Sequence, residues 1–365
     1  MDTWIDCEVK GCRFPDQRLG KRLHKVLGSL SRGMGNTIPL ACQDWAGTKA
    51  AYRFLDNPRV DESAILAGHF EATCSRFTAA SGRVLVLHDT TELSFQRKDH
   101  GAIGRTCKTF AGRDKNGRPR IRTVCGLLMH SSLVVTEDGV PLGFAAIKFW
   151  TRKKFKGTNA LKGKTNSTRI PIEMKESYRW VENVKQSTQL LGDPRRCVHI
   201  GDRESDIYEL FCAAKEAGTF FLVRTCVDRL AEDGHTTVET AMKIRCVRGT
   251  HRIEVRDANG KVSHAKLKIK FGRIKVLPPI GKHKRYPALP LTVIYAYEAK
   301  APKGRERIEW KLLTNLPVRT LRAAIEKLDW YAMRWKIEIC QPYCLQSKRS
   351  YELPFRRLGT VSSAA

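Results

Sequence analysis

The chain has 365 residues, 42% of them hydrophobic and 28% charged, which is typical of a soluble globular protein with roughly two or three domains. The 66 Lys and Arg residues outnumber the 37 Asp and Glu residues, giving a formal net charge of +29, and such an excess indicates a polyanionic partner, nucleic acid above all. Neither a signal peptide nor an apolar run of spanning length is apparent, and no basic amphipathic helix suits a membrane surface, so we expect a cytoplasmic protein with no membrane partner.

The twelve cysteines are scattered along the chain and form no C-x-x-C pair. Several lie in apolar runs, as Cys125 does in "TVCGL". This pattern predicts reduced, mostly buried thiols rather than a zinc site or disulfides.

Residues 1–75 are predicted to form a helical DNA-binding module. One helix has an apolar stripe made of Leu19, Leu23, Val26, Leu27 and Leu30. Arg18, Lys21, Arg22 and Lys25 lie on its other side, and Arg18, Arg22 and Lys25 are the candidate DNA contacts. A second helix is expected from Thr48, and a third after an N-cap at Asp61. A merely solvated basic face explains the same pattern equally well.

Residues 80–217 are predicted to alternate strands and helices. The run "VLVLHD" predicts a strand that delivers Asp89 at its end. A basic stretch, 104–122, is expected to be a loop or a hairpin, and a hairpin turn is predicted at 137–139. A Lys-rich loop follows over 152–169. Further on, "VHIGDRESDIY" predicts a strand, a tight turn at Gly201, and a helix that Glu204 and Asp206 open.

Residues 218–317 are predicted to be β-rich. In "AKLKIKF" apolar residues alternate with lysines, so one face should be buried and the other should carry a row of positive charge. Thr320 is expected to cap a helix within 318–341. The remainder, 342–365, has no periodicity and is predicted to be a disordered tail.

Three acids are candidates for one site. Asp89 and Asp202 each follow an apolar strand, and Glu338 shares a helical face with Tyr331 and Arg334 because these residues are three and four positions apart. Two Mg²⁺ or Mn²⁺ ions need oxygen ligands of this kind for phosphoryl transfer. The alternatives are strands that simply end at turns, and a surface ion pair between Arg334 and Glu338.

The segments "HDTTELSF", "GDRESDIY" and "Y-x-x-R-W-x-I-E" resemble those of DDE transposases of the insertion-sequence-four group, to which the transposase of bacterial transposon five is related. The second and third segments are the specific ones, since the family shares a "DRE-x-D-I" block and a Tyr-Arg-Glu-Lys signature. The similarity extends over about residues 15–340.

The resemblance implies an α/β fold with an RNase H-like mixed-sheet core, a β-rich insertion and an N-terminal helical DNA-binding module. It places Asp89, Asp202 and Glu338 on the family's metal-binding triad for two Mg²⁺ or Mn²⁺ ions. Tyr331 and Arg334 match signature positions that contact phosphate or orient the acid. Arg224 and Trp310 match positions used around a base extruded beside the cleaved end. The implied partner is double-stranded DNA, at the transposon's terminal repeats and at the target, and the implied reaction is strand cleavage and transfer.

The chain departs from this pattern after about Ile339. The signature lysine should stand at position 345, which is Leu345, and Lys348 is out of register. Pro342 would end or kink the helix that presents the acid. These departures predict a truncated or frameshifted copy. Members of the family form a homodimer on DNA through a helical region that follows the glutamate. The resemblance to that region is lost here, so we do not expect this chain to dimerise readily.

Three other functions fit parts of the sequence. The first is a catalytically inactive remnant that occupies transposon ends. The second is a cellular nuclease with the same core, against which the "DRE-x-D-I" block counts. The third is a basic, RNA-associated structural protein.

Overall fold

The computed structural model describes residues 3–95, 103–152, 170–231, 233–256, 262–300 and 305–338. The described residues fall into two compact units: one holds residues 3–72 together with Glu338, and the other holds the described residues between Thr73 and Ile337. The predicted tail, with Pro342, Leu345 and Lys348, lies outside the described residues, as does nearly all of the predicted Lys-rich loop.

Five helices come first along the chain: α1 (Thr3–Lys10), α2 (Gln17–Arg32), α3 (Ile38–Cys42), α4 (Trp45–Leu55) and α5 (Glu62–Ala79). The predicted cap of α5 is confirmed, because the Asp61 carboxylate accepts from Ala64 N at 2.7 Å. α4 begins earlier than predicted because Asp44 caps it, accepting from Gly47 N at 2.5 Å. Leu19 and Leu23 of the predicted stripe on α2 are buried with Phe54.

Within the described residues ten strands form one mixed sheet, which confirms an α/β fold. The strands are β1 (Val84–Phe95), β2 (Arg105–Arg113), β3 (Pro119–Thr136), β4 (Pro141–Trp150), β5 (Cys197–Gly201), β6 (Phe220–Arg224), β7 (Gly249–Arg256), β8 (Val262–Val276), β9 (Leu289–Glu298) and β10 (Glu309–Thr314). Their order is β2-β3-β1-β5-β6-β10-β9-β8-β7, with β4 also paired to β3. β5 runs parallel to β1 and β6, and every other pairing is antiparallel.

Four further helices belong to the larger unit: α6 (Tyr178–Leu191), α7 (Tyr208–Glu216), α8 (Val238–Lys243) and α9 (Leu321–Ala332). α6 and α7 bury Trp180, Tyr208 and Phe211 against one face of the sheet, where Phe211 stacks on Phe221 with ring centroids 4.7 Å apart. Tyr331 of α9 lies against the opposite face, beside Trp310. Helical residues therefore cover both faces of the sheet around β6 and β10.

Several local predictions can be compared directly with the structure. The turn at 137–139 is confirmed: Gly139 has φ +80° and its N donates to Thr136 O at 2.8 Å. The alternation in β8 is also confirmed, with Leu267 buried and Lys266 and Lys268 exposed. The prediction of mostly buried thiols was wrong: of the ten cysteines in the described residues, only three are buried. No helix in the described part of the chain is long and apolar enough to cross a bilayer.

Candidate catalytic site

Asp89 and Asp202 lie at the same level of two neighbouring strands. β1 and β5 run parallel and their last paired residues are Leu87 and Ile200, so each aspartate comes two residues after the pair. Adjacent strands are about 4.8 Å apart. The prediction that Asp89 stands at the end of its strand was wrong, because β1 continues past Asp89 and pairs with β3 as far as Phe95. Both aspartates nevertheless lie two residues past the point where the parallel pairing stops.

A short 3-10 turn, Arg203–Ser205, holds Asp202. Its carboxylate accepts from Glu204 N at 2.9 Å and so caps the turn. Glu204 and Asp206 were predicted to open a helix, but α7 begins only at Tyr208. The Asp206 side chain is instead buried and paired with Arg229.

Gly201 is needed for space rather than for a turn dihedral, since its φ is not positive. A Cβ at this position would lie 2.6 Å from Ser205 Cβ and 3.1 Å from the Trp180 ring. We therefore expect Gly201→Ala to destabilise the protein by about 1–3 kcal/mol through overpacking and to displace Asp202. Chemical denaturation checks this, with Ala substituted at the exposed Lys215 as the control. An unchanged free energy of unfolding would contradict the tight fit.

Arg334 and Tyr331 approach the two aspartates from α9 and the turn that follows it. Arg334 Nη1 is 3.5 Å from Asp89 Oδ1, and Arg334 is 9% exposed, so it is not the surface residue of the ion-pair alternative. Burial raises the pKa of the Tyr331 phenol. The positive charges of Arg334 and Arg224 oppose this rise, and the negative charge of Asp202 adds to it. A guanidinium, a phenol and two carboxylates thus share one region of the sheet.

Arg224 and Trp310 complete this cluster. Arg224 ends β6, and its side chain hydrogen-bonds Tyr331 and donates from Nη2 to Glu309 O at 2.9 Å. The Trp310 ring lies 5.3 Å from the Tyr331 ring, edge to face. The structure therefore brings together six of the residues singled out from the sequence: Asp89, Asp202, Arg224, Trp310, Tyr331 and Arg334.

Glu338 is grouped with the other compact unit, and α9 ends at Ala332 before a separate helical turn at 335–338. Among the described residues, no three His, Cys, Asp or Glu side chains are grouped so that they could hold a metal ion. The three-carboxylate triad stays a prediction.

The predicted DNA contacts on α2 differ in exposure. The Arg18 side chain is 88% exposed and pairs with the helix cap, Nη2 lying 2.8 Å from Asp16 Oδ2. This pairing holds the pKa of Asp16 down at about 2. Lys25 is exposed and Arg22 half-buried.

A layer of buried histidines lies on the face of the sheet opposite Asp89, and sequence reasoning missed it. His88 Nε2 lies 2.9 Å from His199 Nδ1, and His88 Nδ1 lies 2.9 Å from Ser132 Oγ. His130 is within 2.9 Å of Thr90 Oγ1. The available signal was that His199 interrupts the apolar strand "CVHIG" and that His88 directly follows the apolar run "VLVL".

Burial lowers the pKa of His199 to about 3. Burial also lowers the pKa of His88, and the neighbouring His199 and His130 lower it further because they disfavour a positive charge on His88. Unfolded histidines titrate near 6.5, so below that pH the unfolded state binds more protons than the folded state. We expect full stability above about pH 6.5 and a loss of at least about 1.4 kcal/mol per pH unit as the pH falls towards 5. Urea denaturation at several pH values measures this, and a flat profile would contradict it.

Residues 1–60 match the family described as transposase DNA-binding. The match covers α1 to α4 and falls within the helical module predicted from the sequence. It supports a transposase, and it supports DNA as the partner.

Proposed function

We propose that this chain is a DNA transposase of the insertion-sequence-four type that cleaves and transfers strands at transposon ends. One observation carries the proposal: Asp89 on β1 and Asp202 just after β5 come two residues past the last pair of these adjacent parallel strands, with Arg334 against Asp89, in a chain whose residues 1–60 match a transposase DNA-binding family.

The strand arrangement is compatible with the RNase H-like core that the resemblance implies. β1 lies inside the sheet, with antiparallel β3 and β4 on one side and parallel β5 and β6 on the other. In such a sheet the carboxyl end of β5, which Asp202 follows, lies beside the part of β1 that carries Asp89.

The residues present suit a hard divalent cation. Asp89 and Asp202 supply oxygen ligands, which Mg²⁺ and Mn²⁺ prefer, and the proposal adds Glu338 as the third ligand. The chemistry that a pair of such ions would supply there is activation of a water or a 3′-hydroxyl and stabilisation of the leaving oxygen. Arg334 neutralises part of the carboxylate charge and is placed to bind a phosphate oxygen beside Asp89. Arg224 holds Tyr331 by a hydrogen bond beside Arg334, and the edge-on Trp310 offers a surface for an unstacked base.

A second candidate is a DNA-binding remnant that occupies transposon ends without cutting them. The observation that favours it is the lack of a three-acid metal group among the described residues. Both candidates share DNA binding and differ only in chemistry.

The distinguishing experiment incubates the purified protein with labelled duplexes from the DNA that flanks the gene, with Mn²⁺ and with chelator. Retarded duplex together with Mn²⁺-dependent nicks supports the transposase. Retarded duplex without nicks supports the remnant. Absence of binding would contradict both.

A further inference from the structure

A β-ribbon projects from the edge of the sheet. β2 and the first part of β3 pair with each other, and a turn at 114–118 joins them. Residues 108–111 and 113–122 are exposed, and Gly112 is half-buried, so both faces of the ribbon meet solvent. A two-stranded ribbon without a covered face is only marginally stable in water. The exposed side chains of this ribbon therefore do not contribute to a hydrophobic core.

The ribbon carries an unusual apolar pair. Phe110 and Ile121 are directly opposite each other across the two strands, and they are 66% and 65% exposed. Aromatic and β-branched residues stabilise each other in this position. Their exposure leaves one face of that pair open to a partner.

The ribbon is also strongly basic. Its cations are Arg105, Lys108, Arg113, Lys115, Arg118, Arg120 and Arg122. Its single acid, Asp114, is used in the turn, where it accepts from Asn116 N at 2.9 Å and from Arg118 N at 2.8 Å. In the part of the chain that the structure describes, Arg118, Arg120 and Arg122 have no carboxylate partner. This charge is complementary to a polyanion.

We propose that this ribbon inserts into a groove of double-stranded DNA, with its arginines on phosphates and the Phe110–Ile121 pair against the groove wall. The major groove of B-DNA is wide enough for a two-stranded β-ribbon. Ser131 pairs with Asp89, and Ile121 lies ten residues before Ser131 on β3. A straight strand of that length spans up to about 33 Å, close to one turn of DNA. The ribbon contacts the duplex about one helical turn from the carboxylates, and only the choice of DNA as partner rests on the proposed function.

The test compares two triple variants of the full chain. One carries Arg118→Ala, Arg120→Ala and Arg122→Ala. The matched control carries Arg252→Ala, Lys266→Ala and Lys268→Ala, which removes the same charge from exposed positions on β7 and β8. Fluorescence anisotropy measures affinity for a duplex of about 30 base pairs between about 50 and 200 mM KCl. In the ribbon variant we expect the magnitude of the negative slope of log K against log salt to decrease by about 2–3, because three phosphate contacts are lost. The affinity should fall by at least about tenfold, and both changes should be smaller in the control.

Equal changes in both variants, or an unchanged slope in the ribbon variant, would overturn the proposal. The double variant Phe110→Ser with Ile121→Ser should weaken binding without changing the slope. If it instead abolishes self-association and leaves DNA affinity intact, the ribbon joins copies of the chain and the proposal is wrong. Because these side chains are exposed, melting temperatures should stay near wild type. A wild-type chain that binds no duplex contradicts the proposed function itself, whereas a binding wild type with an unaffected ribbon variant contradicts only this inference.

Discussion

Asp89→Asn is expected to reduce Mn²⁺-dependent strand cleavage by at least about 10³-fold while leaving affinity for DNA close to wild type. The amide has nearly the shape of the carboxylate, so β1 keeps its pairing with β3 and β5. It lacks the negative charge that a divalent ion requires, and the loss of metal stabilisation worth about 4 kcal/mol corresponds to that factor. Quantified nicking of end-labelled duplex, with an anisotropy titration on the same protein, gives both numbers.

The matched control is Asp138→Asn, because Asp138 is an exposed residue in the β3–β4 turn. Nicking should be unaffected there. Equal nicking by wild type and Asp89→Asn would show that cleavage, if present, comes from a contaminant or from another site.

Asp206→Ala is expected to lower the free energy of unfolding by about 3–5 kcal/mol, because it leaves a buried guanidinium without its partner. The Asp206 side chain is 0% exposed and that of Arg229 is 6% exposed. The same carboxylate accepts from Thr225 Oγ1 at 2.7 Å and from Cys226 N and Val227 N at 2.9 Å. Asp206 therefore ties the turn after β5 to the segment after β6.

Urea denaturation of the purified variant measures this loss. Asp206→Asn should be less damaging, since an amide oxygen still accepts hydrogen bonds. Asp138→Ala, at the surface, should stay within about 0.5 kcal/mol of wild type. A loss below about 1 kcal/mol for Asp206→Ala would mean that water or rearrangement satisfies Arg229.

Local periodicity was enough to predict much of the fold. The stripe on α2, the cap at Asp61 and the alternation in β8 depend on neighbours within a few residues, and all three are present. The positions of Asp89 and Asp202 beside apolar strands also carried over, because a buried run ends where polar residues begin.

Contacts between distant residues could not be predicted in the same way. His88 and His199 are 111 residues apart and meet only because β1 and β5 are neighbours in the sheet. Asp206 followed the local rule for a helix start, but tertiary contacts with Arg229 override that rule. The edge-to-face contact of Trp310 with Tyr331 likewise needed the order of the strands, which periodicity does not specify.

The central claim is that Asp89 and Asp202 share divalent ions, and a Mn²⁺ titration followed by electron paramagnetic resonance tests it without requiring turnover. We expect the wild-type chain to remove about two ions from the free Mn²⁺ signal, as a two-metal site does, and Asp89→Asn and Asp202→Asn each to abolish or halve that uptake. Uptake that is absent at millimolar Mn²⁺, or that is the same in both variants as in the wild type, would contradict the claim.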